Sequence, residues 1–286
     1  MLFRSKAVGT DKLAIAERLW KKYQNHPRIR IVLGPHAPYT CKDDLLLEAK
    51  AFSEKTGIPV HIHLSETAKE VAESREQYGI SPVERLHRLG FLRPGVICAH
   101  CVHFDQADRK IFEASGASII HNPDSNAKLG AGVAPVSDYL RRKIPVGLGT
   151  DGSASNNDLS IFGAMDIGTK LQKIHSSSIT DFAAADALRM ATWGGAQALG
   201  WKDTGSLEVG KRGDCVLVDL RFPHLQPVHD LASQLVYSAQ GCEVSATICE
   251  GKVLYQDGRF FTLDAKKIYT KAELWRKKIV RVLQQA

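Results

Sequence analysis

The chain has 286 residues, 44% hydrophobic and 24% charged, with a formal net charge of +7. That composition is ordinary for a globular protein and is enough for one barrel-sized domain plus an appendage. The basic residues lie along helical faces, densest in KKIYTKAELWRKKIVRVL, with no aromatic-basic recognition motif. A solvated face is therefore the reading, a nucleic-acid partner is not expected, and an anionic substrate group stays compatible with the charge.

In chain order, Leu2 and Phe3 look like the tail of a strand, and residues 12–23 (KLAIAERLWKKY) carry apolar residues at a helical period. Residues 28–35 read as a strand ending at His36, and Thr40 with Asp43 reads as a capping box opening a helix that Gly57 stops. PVHIHL follows as a strand in which alternation sends His61 and His63 to one side. Either these form a two-histidine metal pair, or His61 packs nearby and only His63 reaches the site. Ser81-Pro82-Val83-Glu84 opens a helix, residues 95–99 lead to His100, Asp105 caps the next helix, and residues 117–120 lead to His121 and Asn122. Residues 144–158 (IPVGLGTDGSASNND) are an apolar run that delivers Asp151, and the helical pattern resumes at Leu159. Thr180 is expected to cap a long helix ending at Gly200. From Trp201 the pattern turns to short strands and a hairpin, then a final helix over 265–285, with His224 and His229 as plain loop residues. The expected divisions are 1–200 for a partial barrel, 201–262 for a β-sandwich remnant and 263–286 for a C-terminal helix.

Five strand ends thus close on His36, His63, His100, His121 and Asp151, spaced 27, 37, 21 and 30 residues apart. A βα unit takes about 30 residues, and α/β barrels place their chemistry at the C-terminal strand ends. An Asp alone would as readily be a helix cap; five strand ends in succession make a constellation. His and Asp at one barrel mouth suit a borderline divalent metal such as zinc. Glu66, just past His63, would act there as a proton carrier. No G-x-S-x-G elbow, GK[ST] phosphate loop or GxGxxG fingerprint is present. Six dispersed cysteines lack a disulfide spacing, and Cys98-Ala-His-Cys101 has no second CxxC to complete a zinc site. The start MLFRSKAVG has no apolar signal core, so a reducing, cytoplasmic setting without membrane partners is expected.

GPHAPYTC, HIHLSET, AHCVH, HNPDSNAKLGAGVAPV and LGTDGSASNND resemble the amidohydrolase superfamily. Within it they are most similar to the methylthioadenosine/S-adenosylhomocysteine deaminases of the triazine-hydrolase and aminohydrolase group; guanine, cytosine and triazine relatives share parts of these motifs. The resemblance implies a (β/α)8 TIM-barrel-type metal-dependent hydrolase fold with a composite β-sandwich, including GSLEVGKRGDCVLVDL. It also implies one divalent metal (zinc, with iron or manganese as alternatives), a nucleoside substrate, and compatibility with a homo-oligomer. By position, His63 and Asp151 match metal ligands, Glu66 the proton donor to the purine ring, and His100 the histidine that orients the attacking hydroxide. His36 matches a substrate contact. Ser155 is expected at the sugar edge and Lys12 near a substrate carboxylate. The family's H-x-H pair at the end of the first strand has no counterpart before His36. The expectation is therefore an incomplete barrel of six or fewer strands that begins near the third, either a piece of a deaminase or a non-catalytic remnant.

Overall fold

The computed structural model describes residues 12–284 and the backbone of Leu2–Phe3. The first part alternates strand and helix: β1 (Leu2–Phe3), α1 (Lys12–Tyr23), β2 (Gly34–Pro35), α2 (Asp43–Thr56), β3 (Val60–Leu64), α3 (Ala68–Tyr78) and α4 (Pro82–Arg88). It continues through β4 (Val96–His100), α5 (Gln106–Ser115), β5 (Ser118–His121), α6 (Pro123–Lys128), α7 (Val136–Arg141), β6 (Val146–Leu148), α8 (Ser153–Asn156) and α9 (Ile161–Ser176). All the pairings among these strands are parallel, in the order β1-β2 and β3-β4-β5-β6, with a parallel bridge from Leu33 to Val60 between the two groups. Six parallel strands in chain order match the expected partial barrel; no pairing closes β6 onto β1 among the described residues.

Each strand is short because few residues meet a partner on both sides. Of residues 28–35, only Leu33 to Pro35 join the sheet, Leu33 donating to Pro59 and accepting from His61. In β3 the alternation is visible in burial: Val60, Ile62 and Leu64 are buried in the apolar core, while His61 and His63 on the opposite face are half-buried. β4 is buried throughout, as a strand covered on both faces must be. Each fully buried Ile or Leu of this core contributes about 1.5–3 kcal/mol relative to exposure.

Helix boundaries follow local chemistry where the capping residue is free to act. Ser81 accepts from the Glu84 N–H and Asp105 from the Asp108 N–H, both caps as expected, and the Asp108 side chain returns the bond to complete a capping box. Two expectations fail. The residue before α2 is Lys42, with no side-chain cap, because the Thr40 hydroxyl is used elsewhere. The long helix expected after Thr180 forms, but it is preceded by Ala183 rather than capped by Thr180, and it runs without a break through α10 (Ala184–Arg189), a π-helical turn (Met190–Gly194) and α11 (Gly195–Ala198). There the backbone presses on β6. A Cβ on Gly194 would sit 2.6 Å from the Val146 carbonyl, and one on Gly147 would sit 2.8 Å from Gly195 Cα. Only paired glycines permit that approach, and the π-turn carries the change of register.

The remaining elements are β7 (Cys215–Val218), a 3₁₀ turn (Pro223–Leu225), α12 (Leu231–Tyr237), β8 (Val244–Cys249), β9 (Lys252–Gln256), β10 (Arg259–Phe260) and α13 (Ala265–Leu283). The chain forms two compact units. One runs as far as Ser206 and takes back Pro227–Gln240, so α12 packs on α9 and α10. The other comprises Leu207–Gln226 and the chain from Gly241, including α13. It contains an antiparallel sheet ordered β10-β9-β8-β7. A single boundary after residue 200 therefore does not describe the path of the chain. His224, expected as a plain loop residue, pairs within this second unit with buried Glu243 at 2.6 Å. Described cysteines are unbridged, and no described helix is long and apolar enough to cross a membrane.

Candidate metal-dependent active site

The C-terminal ends of β3 and β4 and the turn after β6 bring together His63, His100 and Asp151. One ligand atom from each lies within 4.8 Å of the others. Backbone geometry does part of this work. His100 (φ 71°), Cys101 (φ 50°) and Asp151 (φ 60°) all adopt the left-handed region, as does Ser65 (φ 48°) just beyond β3. Such conformations cost roughly 1–3 kcal/mol each in non-glycine residues and persist where the surroundings over-determine them. They turn the side chains off their strands and toward one another.

Hydrogen bonds set the tautomers. His63 Nδ1 lies 2.6 Å from the His36 carbonyl, which can only accept, so Nδ1 carries the proton and Nε2 presents a lone pair. His100 Nδ1 is 2.8 Å from Asn126 Oδ1, which assigns its proton in the same way. The Nε2 of His100 is buried and has no hydrogen-bond partner, an orphaned lone pair facing the cluster. Burial lowers the pKa of His100, partly offset by the Glu66 carboxylate and Asn126. Two hydroxyls, Ser155 at 2.6 Å and Ser125 at 2.8 Å, donate to Asp151 Oδ2. Burial alone would raise the pKa of Asp151, but these donors and the Gly152 amide outweigh it, so the carboxyl is held below its usual range. Two imidazoles that turn Nε2 toward one point and one carboxylate are the donor set a borderline divalent cation takes, so the residues fit a metal.

Glu66 reaches the same mouth, with Oε2 3.9 Å from His100 Nε2. The His36 ring lies 4.9 Å from that of His63 and stands against Tyr39. Thr40 Oγ1 donates to the Ala37 carbonyl and so accepts from His36 Nδ1 at 2.8 Å, which explains its loss as a helix cap. His61 lies beside the cluster rather than in it, 5.8 Å ring to ring from His63; burial, then His63 and His100, lower its pKa to about 4. Ser155, expected at a sugar edge, spends its hydroxyl on Asp151. Lys12 opens α1, and among the described residues it has no hydrogen bond or ion pair with the cluster. HNPDSNAKLG also supplies Ser125 and Asn126, for which the sequence suggests no role. Both lie on α6, four and five residues past the end of β5, and are buried at 0% and 1% exposure.

Residues 4–254 match the amidohydrolase family. The chain belongs to that family. It is 40% identical over 277 residues to a 5-methylthioadenosine/S-adenosylhomocysteine deaminase of Caldanaerobacter subterraneus, covering 96% of this chain and 64% of the relative. It is 43% identical over 246 residues to a 5'-deoxyadenosine deaminase of Methanothermobacter thermautotrophicus, covering 86% of this chain and 57% of that one. Among solved structures it is similar to an adenosine deaminase from Xanthomonas campestris with bound zinc, at 36% identity and a TM-score of 0.92, covering 98% of this chain and 64% of that chain. This amidohydrolase chain therefore spans less than two thirds of the length of these relatives.

Proposed function

We propose that the chain carries most of the catalytic apparatus of a metal-dependent hydrolytic deaminase acting on adenosine thioethers, methylthioadenosine and S-adenosylhomocysteine. The products are the inosine analogue and ammonia. The observation that carries this reading is the convergence of His63, His100 and Asp151 with Glu66 beside His100; the names of the relatives supply the substrate class. His63 and Asp151 would hold the metal, zinc by its donor set, with the His100 lone pair turned toward the same point. A metal held there supplies Lewis-acid activation of water at neutral pH.

The protein's own groups then handle the protons. His100 orients the water toward the ring carbon that bears the amino group. Glu66 takes one proton of that water and delivers it to the adjacent ring nitrogen, turning an aromatic amidine into a tetrahedral centre. Asp151, aligned by Ser125 and Ser155, takes the second proton and passes it to the departing amine. One water is consumed, one C–N bond breaks, and the ring keeps the first proton. His36 lies where the purine would meet β2, and Lys12 is the cation proposed for the carboxylate of S-adenosylhomocysteine.

The test measures ammonia release by the zinc-loaded protein from methylthioadenosine, S-adenosylhomocysteine, guanine and a triazine. The expected result is turnover of the two adenosines, reduced about 10²–10⁴-fold by Glu66→Gln with metal content intact. Ammonia from guanine or the triazine but never from the adenosines would overturn the reading, as would loss of the metal in Glu66→Gln.

A further inference from the structure

A second carboxylate stands behind Glu66. Glu70 occupies the first turn of α3, is only 4% exposed, and turns back toward the end of β3. Its Oε1 accepts the Ser65 N–H at 3.0 Å and its Oε2 accepts the Glu66 N–H at 2.8 Å. Its own N–H is taken by the Thr67 hydroxyl, the cap of α3, at 3.1 Å. The Ser65 carbonyl is gripped from the other side by the Val102 and His103 amides, at 3.1 and 3.0 Å. The three-residue link between β3 and α3 (Ser65, Glu66, Thr67) is thus held on both edges, with Ser65 in the left-handed region. A carboxylate accepting two N–H groups forms charge-assisted bonds about twice as strong as neutral ones. Burial pushes the Glu70 carboxyl up to about 7, opposed by the same two N–H groups, so the placement costs stability that a surface residue would not.

We infer that Glu70 is a positioning residue for Glu66: it fixes the Ser65–Glu66 backbone so that the Glu66 carboxyl faces His100. Packing alone does not ask for a carboxylate there, and in the 3.9 Å approach of Glu66 to His100 a small rotation of the 65–66 peptide would carry the proton donor away from the ring it must reach. Glu70→Gln keeps the size but offers one acceptor for two donors.

The kinetic part of this inference rests on the deaminase reading; the structural part does not. The experiment compares the full zinc-loaded chain with Glu70→Gln, Glu66→Gln and the double variant. Expected is a fall in kcat of about 10- to 100-fold in Glu70→Gln with KM nearly unchanged, and no further loss when Glu70→Gln is added to Glu66→Gln, because two residues acting through one step are not additive. Amide hydrogen exchange should show faster exchange confined to residues 65 and 66. In the unsubstituted chain those two amides should exchange as slowly as those of β3, a measurement that stands even if the variant does not fold. Full additivity with Glu66→Gln, or residues 65 and 66 as protected in Glu70→Gln as before, overturns the inference. If the unsubstituted chain, which has no counterpart of the family's H-x-H pair, releases no ammonia, the exchange data alone decide the role of Glu70.

Discussion

Acidification from pH 7.5 to 5.0 should weaken this fold through His121. The residue closes β5, is 2% exposed, and neither ring nitrogen has a hydrogen-bond partner. Burial, followed by the nearby His100, lowers its pKa to about 3 from 6.5. Between those values the unfolded chain binds a proton that the folded chain refuses. Stability is therefore complete above about pH 6.5 and is lost as pH falls toward 3. At pH 5 the gap is 1.5 pH units, about 2 kcal/mol at roughly 1.4 kcal/mol per unit. For a unit of this size that is a drop of about 4–8 °C in Tm. His61, lowered to about 4 by the same burial, adds a contribution of the same sign. The assay is thermal unfolding at both pH values with a chelator present, so that metal release does not enter. His121→Met, close in volume and without a titrating group, should remove about 2 kcal/mol of the pH-dependent loss. An identical loss in His121→Met, or an imidazole at His121 that titrates near 6.5 by NMR, would refute the reasoning.

Gly147→Ala should destabilise by about 1–3 kcal/mol in denaturant titration, since the new methyl meets Gly195 Cα at 2.8 Å and Ile120 Cδ1 at 2.9 Å; an unchanged midpoint would contradict the close approach of β6 to the start of α11. Ser125→Ala removes a 2.8 Å hydroxyl donor from Asp151 and should weaken zinc binding about 10- to 100-fold in a chelator competition. Equal or tighter zinc binding would show that the hydroxyl does not orient the carboxylate.

The local order of the chain carried much of this protein in advance. Alternation in PVHIHL placed His61 and His63 on the face opposite Val60, Ile62 and Leu64, because successive side chains in a strand point to opposite sides. The same strand-end logic picked out His100 and Asp151, and Ser81 and Asp105 cap as their spacing from Glu84 and Asp108 requires. These are properties of neighbours within a few residues, which a sequence displays directly. The tertiary structure decided the rest. That His100 joins His63 and Asp151 depends on a left-handed turn at its own Cα. Ser125, Asn126 and Glu70 acquire their roles by reaching from the first turns of α6 and α3 to groups on other strands or on the preceding link. Thr40 lost its cap because the His36 ring and the Ala37 carbonyl, four and three residues back, hold its hydroxyl, whereas the helix after α9 takes its π-turn where the backbone of β6, far away in sequence, presses on it. Local propensity is worth about 1 kcal/mol, and a buried contact or a backbone pressed at van der Waals distance outweighs it.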